Sequence, residues 1–394
     1  MPKSSLDYLK EQLDELERAG TALHPRVLQA EQRARTRFDG RDVINLASNN
    51  YLGLAAHPRM KAAAAKAAAE LGAGSGAVRT IAGTMTLHTE LERRFAAFKG
   101  AEAAIMFQSG FAANSGTVAA ILTKDDVIVS DQLNHASIID GARLSKAEIK
   151  VFPHKDAAAA DRLLSESKAP GRRQLLITDG VFSMDGDIAP LPALVEVAEK
   201  HGAVMMIDDA HASGVLGRNG RGTVDHYDLH GRVDIQVGTL SKAIGVLGGF
   251  IAGPSHLIDW LVNRGRPFLF STSAPPAVAA ACIEALNILE ESPELVDRLW
   301  DRTRFFKKGL NDLGFDTGQS ETPITPVVAG EETKAVELSS LLWEEGVFTP
   351  AIVFPTVAKG RSRVRTIVTA EHTEDDLREA LDAFEKVGRK LGLI

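Results

Sequence analysis

Lys242 closes the segment Gly238-Thr239-Leu240-Ser241-Lys242, and Asp208 and His211 stand in Met205-Met206-Ile207-Asp208-Asp209-Ala210-His211. The first segment reads as a strand that runs into a small polar turn and presents an amine. The second reads as a buried strand that ends in a carboxylate and an imidazole. Such an amine forms a Schiff base with an aldehyde, and such a carboxylate keeps a heteroaromatic nitrogen protonated. Together they make an electron sink for carbanion chemistry. The lysine must shed its charge near neutral pH, and burial moves its pKa in that direction. Asp209 follows Asp208 directly, so strand alternation points it elsewhere. Taken singly, Lys242 also reads as a solvated surface charge, Asp208 as a cap or paired core acid, and His211 as a satisfied loop residue.

Further candidates follow other strand ends. Gln108-Ser109-Gly110-Phe111 opens a helix, and backbone N–H groups at a helix N-terminus favour a phosphate. Gly110 permits close approach, and Thr239 could add a hydroxyl to the same phosphate. His135, in Asn134-His135-Ala136-Ser137, could stack on a ring face or simply cap a helix. Ser183, within Thr178–Asp187, could hydrogen-bond a phenolic oxygen, as could His211, which could instead reach a substrate carboxylate. The acids of that loop lack the ligand rhythm of a calcium site. Amine, acid, stacking imidazole and phosphate cradle are the parts that hold pyridoxal phosphate, and no metal is called for. Arg365 lies in the apolar run Val364-Arg365-Thr366-Ile367. Arginine is rarely buried unpaired, so it grips a substrate carboxylate or forms an internal salt bridge.

The elements that must position these groups alternate from about residue 85 to 270. Strands are expected at Ala104–Phe107, Val127–Ser130, Lys150–Phe152, Leu175–Thr178, Val204–Ile207 and Asp234–Gly238, with helical patterns between them. That rhythm implies a largely parallel sheet in an α/β domain, with active residues at the carboxyl ends of the strands. The apolar run around Val246–Ile251 follows Lys242 and is broken by glycines. Leu6–Ala19 has the apolar spacing of one helical face and forms an N-terminal arm. Val43–Leu46 is a strand candidate. Beyond Pro275-Pro276 come helices at Ala277–Glu290, Leu295–Leu313 and Thr373–Leu391 and a strand at Val364–Val368. This gives an arm over residues 1–50, a large domain over 51–280 and a smaller α+β domain over 281–394.

Composition sets the remaining bounds. The chain has 394 residues, net charge −7 with the signs interspersed, and one cysteine. The charge pattern argues against nucleic acid or an anionic membrane as the main partner. A lone Cys282 in an alanine-rich stretch excludes an intrachain disulfide and reads as a small buried hydrophobe. The N-terminus, starting Met1-Pro2-Lys3, has no apolar signal core, and no apolar run approaches a membrane span. A cytoplasmic location is expected.

With these residues in view, the chain resembles the α-oxoamine synthases, pyridoxal-phosphate enzymes of the aspartate-aminotransferase-like fold (fold type I). The likeness runs through Asn45–Leu54, Asp131–Gly141, Thr178–Asp187, Ile207–His211, Gly238–Lys242, Phe268–Pro276 and Arg361–His372. It implies that Lys242 is the cofactor lysine, Asp208 the pyridinium partner, His135 the stacking residue, and Ser183 and His211 neighbours of the phenolic oxygen. Ser109, Gly110, Phe111 and Thr239 would hold the phosphate, and Asn49 and Arg365 the amino-acid carboxylate. Ser271, Thr272 and Ser273 would reach the phosphate of a neighbouring subunit, which implies a homodimer with shared sites. The implied reaction joins a small amino acid to an acyl-CoA. Asn134–Leu144, Val78–Thr84 and Gly231–Ile235 look closest to the branch that joins glycine and acetyl-CoA. The branch that joins L-alanine and a pimeloyl thioester for biotin synthesis stands second, and dual specificity is open. Arg26 and Arg33 are candidates for CoA phosphates by charge alone. Aldol cleavage of a threonine-like substrate and a non-catalytic binding protein are the readings from other classes.

Overall fold

The computed structural model describes residues 4–18 and 22–394. Its strands, in chain order, are β1 (Arg35–Phe38), β2 (Arg41–Asn45), β3 (Ala103–Phe107), β4 (Val127–Asp131), β5 (Glu148–Phe152), β6 (Gln174–Asp179), β7 (Val204–Asp208), β8 (Ile235–Thr239), β9 (Gly249–Gly253), β10 (Ile324–Gly330), β11 (Val347–Phe348), β12 (Ala351–Ile352) and β13 (Ser362–Ile367). Seven of them form the central sheet in the order β3-β9-β8-β7-β6-β4-β5. β4 to β8 pair in parallel, and β9 runs antiparallel to both β8 and β3. The six expected strands all exist; five are longer by one or two residues, and the sixth, expected at Asp234–Gly238, is shifted by one residue to Ile235–Thr239.

Successive strand residues serve opposite faces, as the period of two demands. Ile128, Leu175, Ile177 and Met206 join one apolar cluster with Ala113, Ile138 and Leu261. Val129, Leu176, Met205 and Ile207 join another with Leu164, Leu194 and Val195. Each such side chain contributes about 1.5–3 kcal/mol on burial, and two covered faces explain the unbroken apolar runs. One step beyond Ile207, the same alternation turns Asp208 toward the helix Gly110–Ile121 and Asp209 away from it.

β9 is the strand that sequence patterning does not register. Its glycines read as breaks, but they are packing requirements. A Cβ on Gly249 would lie 2.5 Å from the Gly110 nitrogen, and one on Gly238 of β8 would meet the Phe250 ring at 2.3 Å. β10 was likewise unexpected, because it contains Pro326. It forms an edge of the sheet β10-β13-β12, where a missing N–H is tolerated.

The smaller C-terminal domain packs helices Glu294–Leu313, Glu332–Glu344 and Glu374–Leu391 on that sheet. The last helix starts on a reciprocal cap: Asp376 N–H donates to Thr373 Oγ1 at 3.1 Å, and Thr373 N–H to Asp376 Oδ2 at 2.8 Å. β2 pairs with β1 and, in parallel, with β11, so Ile44 and Leu46 join the core of Val327, Val364 and Phe384. The expected arm helix covers Tyr8–Arg18 and buries none of its residues. Ala19, and Met1–Lys3 of the N-terminal reading, lie outside the described residues. No described helix is long and apolar enough to cross a membrane.

Candidate active site

The carboxyl ends of the parallel strands converge on one cavity of about 240 Å³. Ser109 follows β3, His135 follows β4, Asp179 ends β6 and Ser183 lies beyond it. Asp208 ends β7, and Thr239, Ser241 and Lys242 follow from β8; all of these line the cavity, with Gly110, Phe111 and His211. The structure thus gathers eleven positions that sequence patterning proposed or placed beside a proposal, from five separate strands.

Lys242 sits in the turn between β8 and β9. Leu240 N–H donates to the Gly248 carbonyl at 2.9 Å and closes that turn. The lysine is half-buried, and no hydrogen bond or ion pair to its Nζ is found among the described residues. Burial pulls its pKa down to about 8, against the opposing pull of Asp208 and Asp179. Asp208 is buried. Its Oδ2 accepts from Asn114 Nδ2 at 2.6 Å and its Oδ1 from Ala210 N–H at 2.8 Å. Neither of these donors is a cation, so a buried carboxylate and a lysine amine without a partner line the same space. Asp179 is in register with Asp208 on β6. Burial, and then the Asp208 charge, push its carboxyl well above the usual range.

Ser109 caps the helix Gly110–Ile121, its Oγ accepting from Ala112 N–H at 3.0 Å. A Cβ on Gly110 would meet the Thr239 Cβ at 3.2 Å, so the helix start and the end of β8 are in close contact. Thr239 Oγ1 lies 2.8 Å from Ser241 Oγ. This cradle of backbone N–H groups and hydroxyls suits a phosphate. His135 N–H donates to Asp179 Oδ2 at 3.1 Å, and its Nδ1 lies 2.7 Å from Ser137 Oγ. Burial lowers the pKa of this imidazole. His211 is buried, with Nδ1 2.7 Å from the Tyr51 hydroxyl. Burial, with Lys242 and Arg365 nearby, drives its pKa well below the ordinary value, so the ring is neutral.

Arg365 donates from Nη1 to the Ser183 carbonyl at 3.0 Å. It has no carboxylate partner among the described residues, and its Nε is buried with no hydrogen bond. The internal salt bridge that its sequence position allowed is therefore absent there. Neighbouring Arg363 takes that role, 2.7 Å from Asp185. Asn49 also carries a buried oxygen without a partner. Arg365 and Asn49 stand outside the cavity lining, Arg365 directly behind Ser183.

Ser271, Thr272 and Ser273 do not line this cavity. Ser273 Oγ is bonded to the Gly83 carbonyl at 2.7 Å, and the Thr272 carbonyl accepts from Gln108 Nε2 at 3.0 Å. The two arginines considered for CoA phosphates are both engaged. Arg26 pairs with Asp39 and lies 3.7 Å over Trp343, and Arg33 pairs with Glu31 and Glu371. Sequence reasoning did not single out Asn114, Ser137 or Tyr51. The only signal for Asn114 is an amide four positions past Gly110, in a helix whose other polar residues, Ser115 and Thr117, are hydroxyls.

A family model described as aminotransferase class I and II matches residues 41–384. The chain is 61% identical over 388 residues to an 8-amino-7-oxononanoate synthase of Symbiobacterium thermophilum, covering 98% of this chain and 99% of that one. It is 60% identical to a protein of the same name from Thermoanaerobacter pseudethanolicus, covering 99% and 98%. A solved structure of SPT with a PLP internal aldimine superposes with a TM-score of 0.94 at 31% identity, covering both chains fully.

Proposed function

The chain belongs to the class I and II aminotransferase family, and from that footing we propose that it joins L-alanine to a pimeloyl thioester, releasing the thiol and carbon dioxide and yielding 8-amino-7-oxononanoate. It is a pyridoxal-phosphate enzyme of the C-acyltransferase class. The sequence stretches had ranked glycine with acetyl-CoA first. Relatives at 61% and 60% identity bear the name of the other branch, and this reverses the order.

The observation that carries the reading is the pairing of Lys242 and Asp208 in one cavity: among the described residues, the amine has no hydrogen-bond or ion-pair partner and the buried carboxylate has no cation bonded to it. The residues fit the cofactor. Asp208 would hold its ring nitrogen, and Ser109, Gly110, Phe111 and Thr239 its phosphate. His135 would cover the ring face, and Ser183 and His211 would meet the phenolic oxygen. Bound there, pyridoxal phosphate supplies an electron sink for the carbon beside the substrate amine.

The chain's own groups then do the following. Arg365 and Asn49, each with a buried polar atom to satisfy, grip the amino-acid carboxylate and fix its orientation. Lys242 Nζ, neutral in an appreciable fraction near pH 7, accepts the Cα proton. Neutral His211, braced by Tyr51, offers a hydrogen bond without adding charge. We also propose a homodimer in which Thr272, exposed in the single chain, faces the partner's site. A cytoplasmic location belongs to the same reading.

A matrix of glycine, L-alanine and L-serine against acetyl, pimeloyl and palmitoyl thioesters, read as free thiol, tests the assignment. Alanine with the pimeloyl thioester should turn over fastest. Turnover confined to glycine with acetyl-CoA would overturn it.

A further inference from the structure

Outside the cavity, one imidazole joins the two loops that supply its walls. His154 follows β5 and lies between two buried carboxylates. Its Nδ1 is 3.0 Å from Asp131 Oδ1, and its Nε2 is 2.9 Å from Asp187 Oδ2. Ionised carboxylates only accept hydrogen bonds, so a ring that bridges two of them donates from both nitrogens and carries a positive charge.

Each of the two acids belongs to a loop that leads into the site. Asp131 ends β4 and accepts from Leu133 N–H at 2.9 Å, which shapes the turn that delivers His135. The Asp187 carbonyl accepts from Phe182 N–H at 3.1 Å and closes the loop that carries Ser183. The Phe182 ring stands edge-on to His154, centroids 4.3 Å apart. On its far side, the same loop takes the Arg365 and Arg363 guanidiniums on the carbonyls of Ser183 and Met184.

We propose that His154, as an imidazolium, is a positioning residue that locks the His135 and Ser183 loops to each other and thereby sets the wall against which Arg365 is held. The proposal rests on the cavity being the cofactor site. The other charged groups around it are few. Lys155 Nζ lies 3.2 Å from Asp187 and 3.5 Å from Glu321, and Tyr227 feels both Glu321 and Lys155. Burial works against the charge on His154, but the two carboxylates outweigh it and raise its pKa to about 9. The bridge is therefore complete below the ordinary histidine value and is lost as pH rises through about 9.

The holoenzyme, carrying labelled histidine, is titrated by NMR, with the His154→Gln variant assigning the resonance. The His154 midpoint should lie near 9, and a midpoint at or below 6.5 overturns the proposal. His154→Gln is uncharged and has a single donor nitrogen, and its carbonyl oxygen cannot donate to the second carboxylate. It should speed amide exchange at Phe182 and Gly186 and lower kcat/KM about tenfold, a change the size of one charged hydrogen bond. Asp187→Asn should do the same, and the double variant should be no worse than either single one. Unchanged exchange and kcat/KM in His154→Gln overturn the proposal. If a variant does not fold, the wild-type titration still decides. The titration and exchange need no substrate, so they stand apart from failure of the substrate assignment.

Discussion

Asn114 donates from Nδ2 to Asp208 Oδ2 at 2.6 Å and from the same nitrogen to Ser137 Oγ at 2.9 Å. The amide thus fixes one carboxylate oxygen of Asp208 from the first helix after β3, in a buried setting where a hydrogen bond to a charged group is strong. Asn114→Ala should weaken pyridoxal-phosphate binding by roughly 10- to 100-fold, the range of one such bond. Cofactor titration followed by absorbance measures this. An unchanged affinity would remove Asn114 from the account.

Arg365→Lys should act on substrate rather than on cofactor. The guanidinium has no acid to satisfy it among the described residues, and lysine cannot reproduce its two-pronged geometry. The KM for the amino acid should rise roughly 10- to 100-fold with a smaller change in kcat. Cofactor absorption should be unaltered. A normal KM would return Arg365 to a structural role.

The amine at Lys242 titrates near 8, well below an ordinary lysine. Only the neutral form reacts with an aldehyde, so in the apoprotein the rate of pyridoxal-phosphate uptake should rise with pH. The rise should be about tenfold per unit below 8, with a plateau above it. A rate that continues to climb through pH 10 would show that burial does not lower this pKa.

Asp209, one residue beyond the site acid, does structural work. Its Oδ2 is 2.7 Å from Lys99 Nζ, both side chains are fully buried, and Thr223 N–H adds a bond at 3.0 Å. Lys99→Met should cost about 3–5 kcal/mol of stability, because it strands a buried carboxylate. Denaturant unfolding checks this, and Lys99→Met with Asp209→Leu should recover part of the loss. A change under about 1 kcal/mol would mean that the pair is solvated.

The parallel strands were legible because burial on both faces leaves long apolar runs that end abruptly in polar turns. Lys242, Asp208 and His135 were legible for the same reason, each lying just past such a run. β9 was not, because Gly249 and Gly253 look like breaks until Gly110 is seen packed against the first of them. Asn114 and the register of Asp179 with Asp208 were not, because both depend on how a helix or a neighbouring strand docks. Asp209 was separable from Asp208 by alternation alone, but its partner Lys99, 110 positions earlier in the chain, was not. Arg365 stayed ambiguous until the structure showed that Arg363, two residues earlier, pairs with Asp185, while Arg365 has no carboxylate partner among the described residues.

The most direct test of the central claim is chemical. The holoenzyme is treated with borohydride, digested, and mapped by mass spectrometry. One cofactor-derived adduct is expected, on the side chain of Lys242, with its loss together with the visible absorption in Lys242→Ala. An adduct on any other lysine, or a Lys242→Ala protein that retains the same covalent attachment, would contradict it.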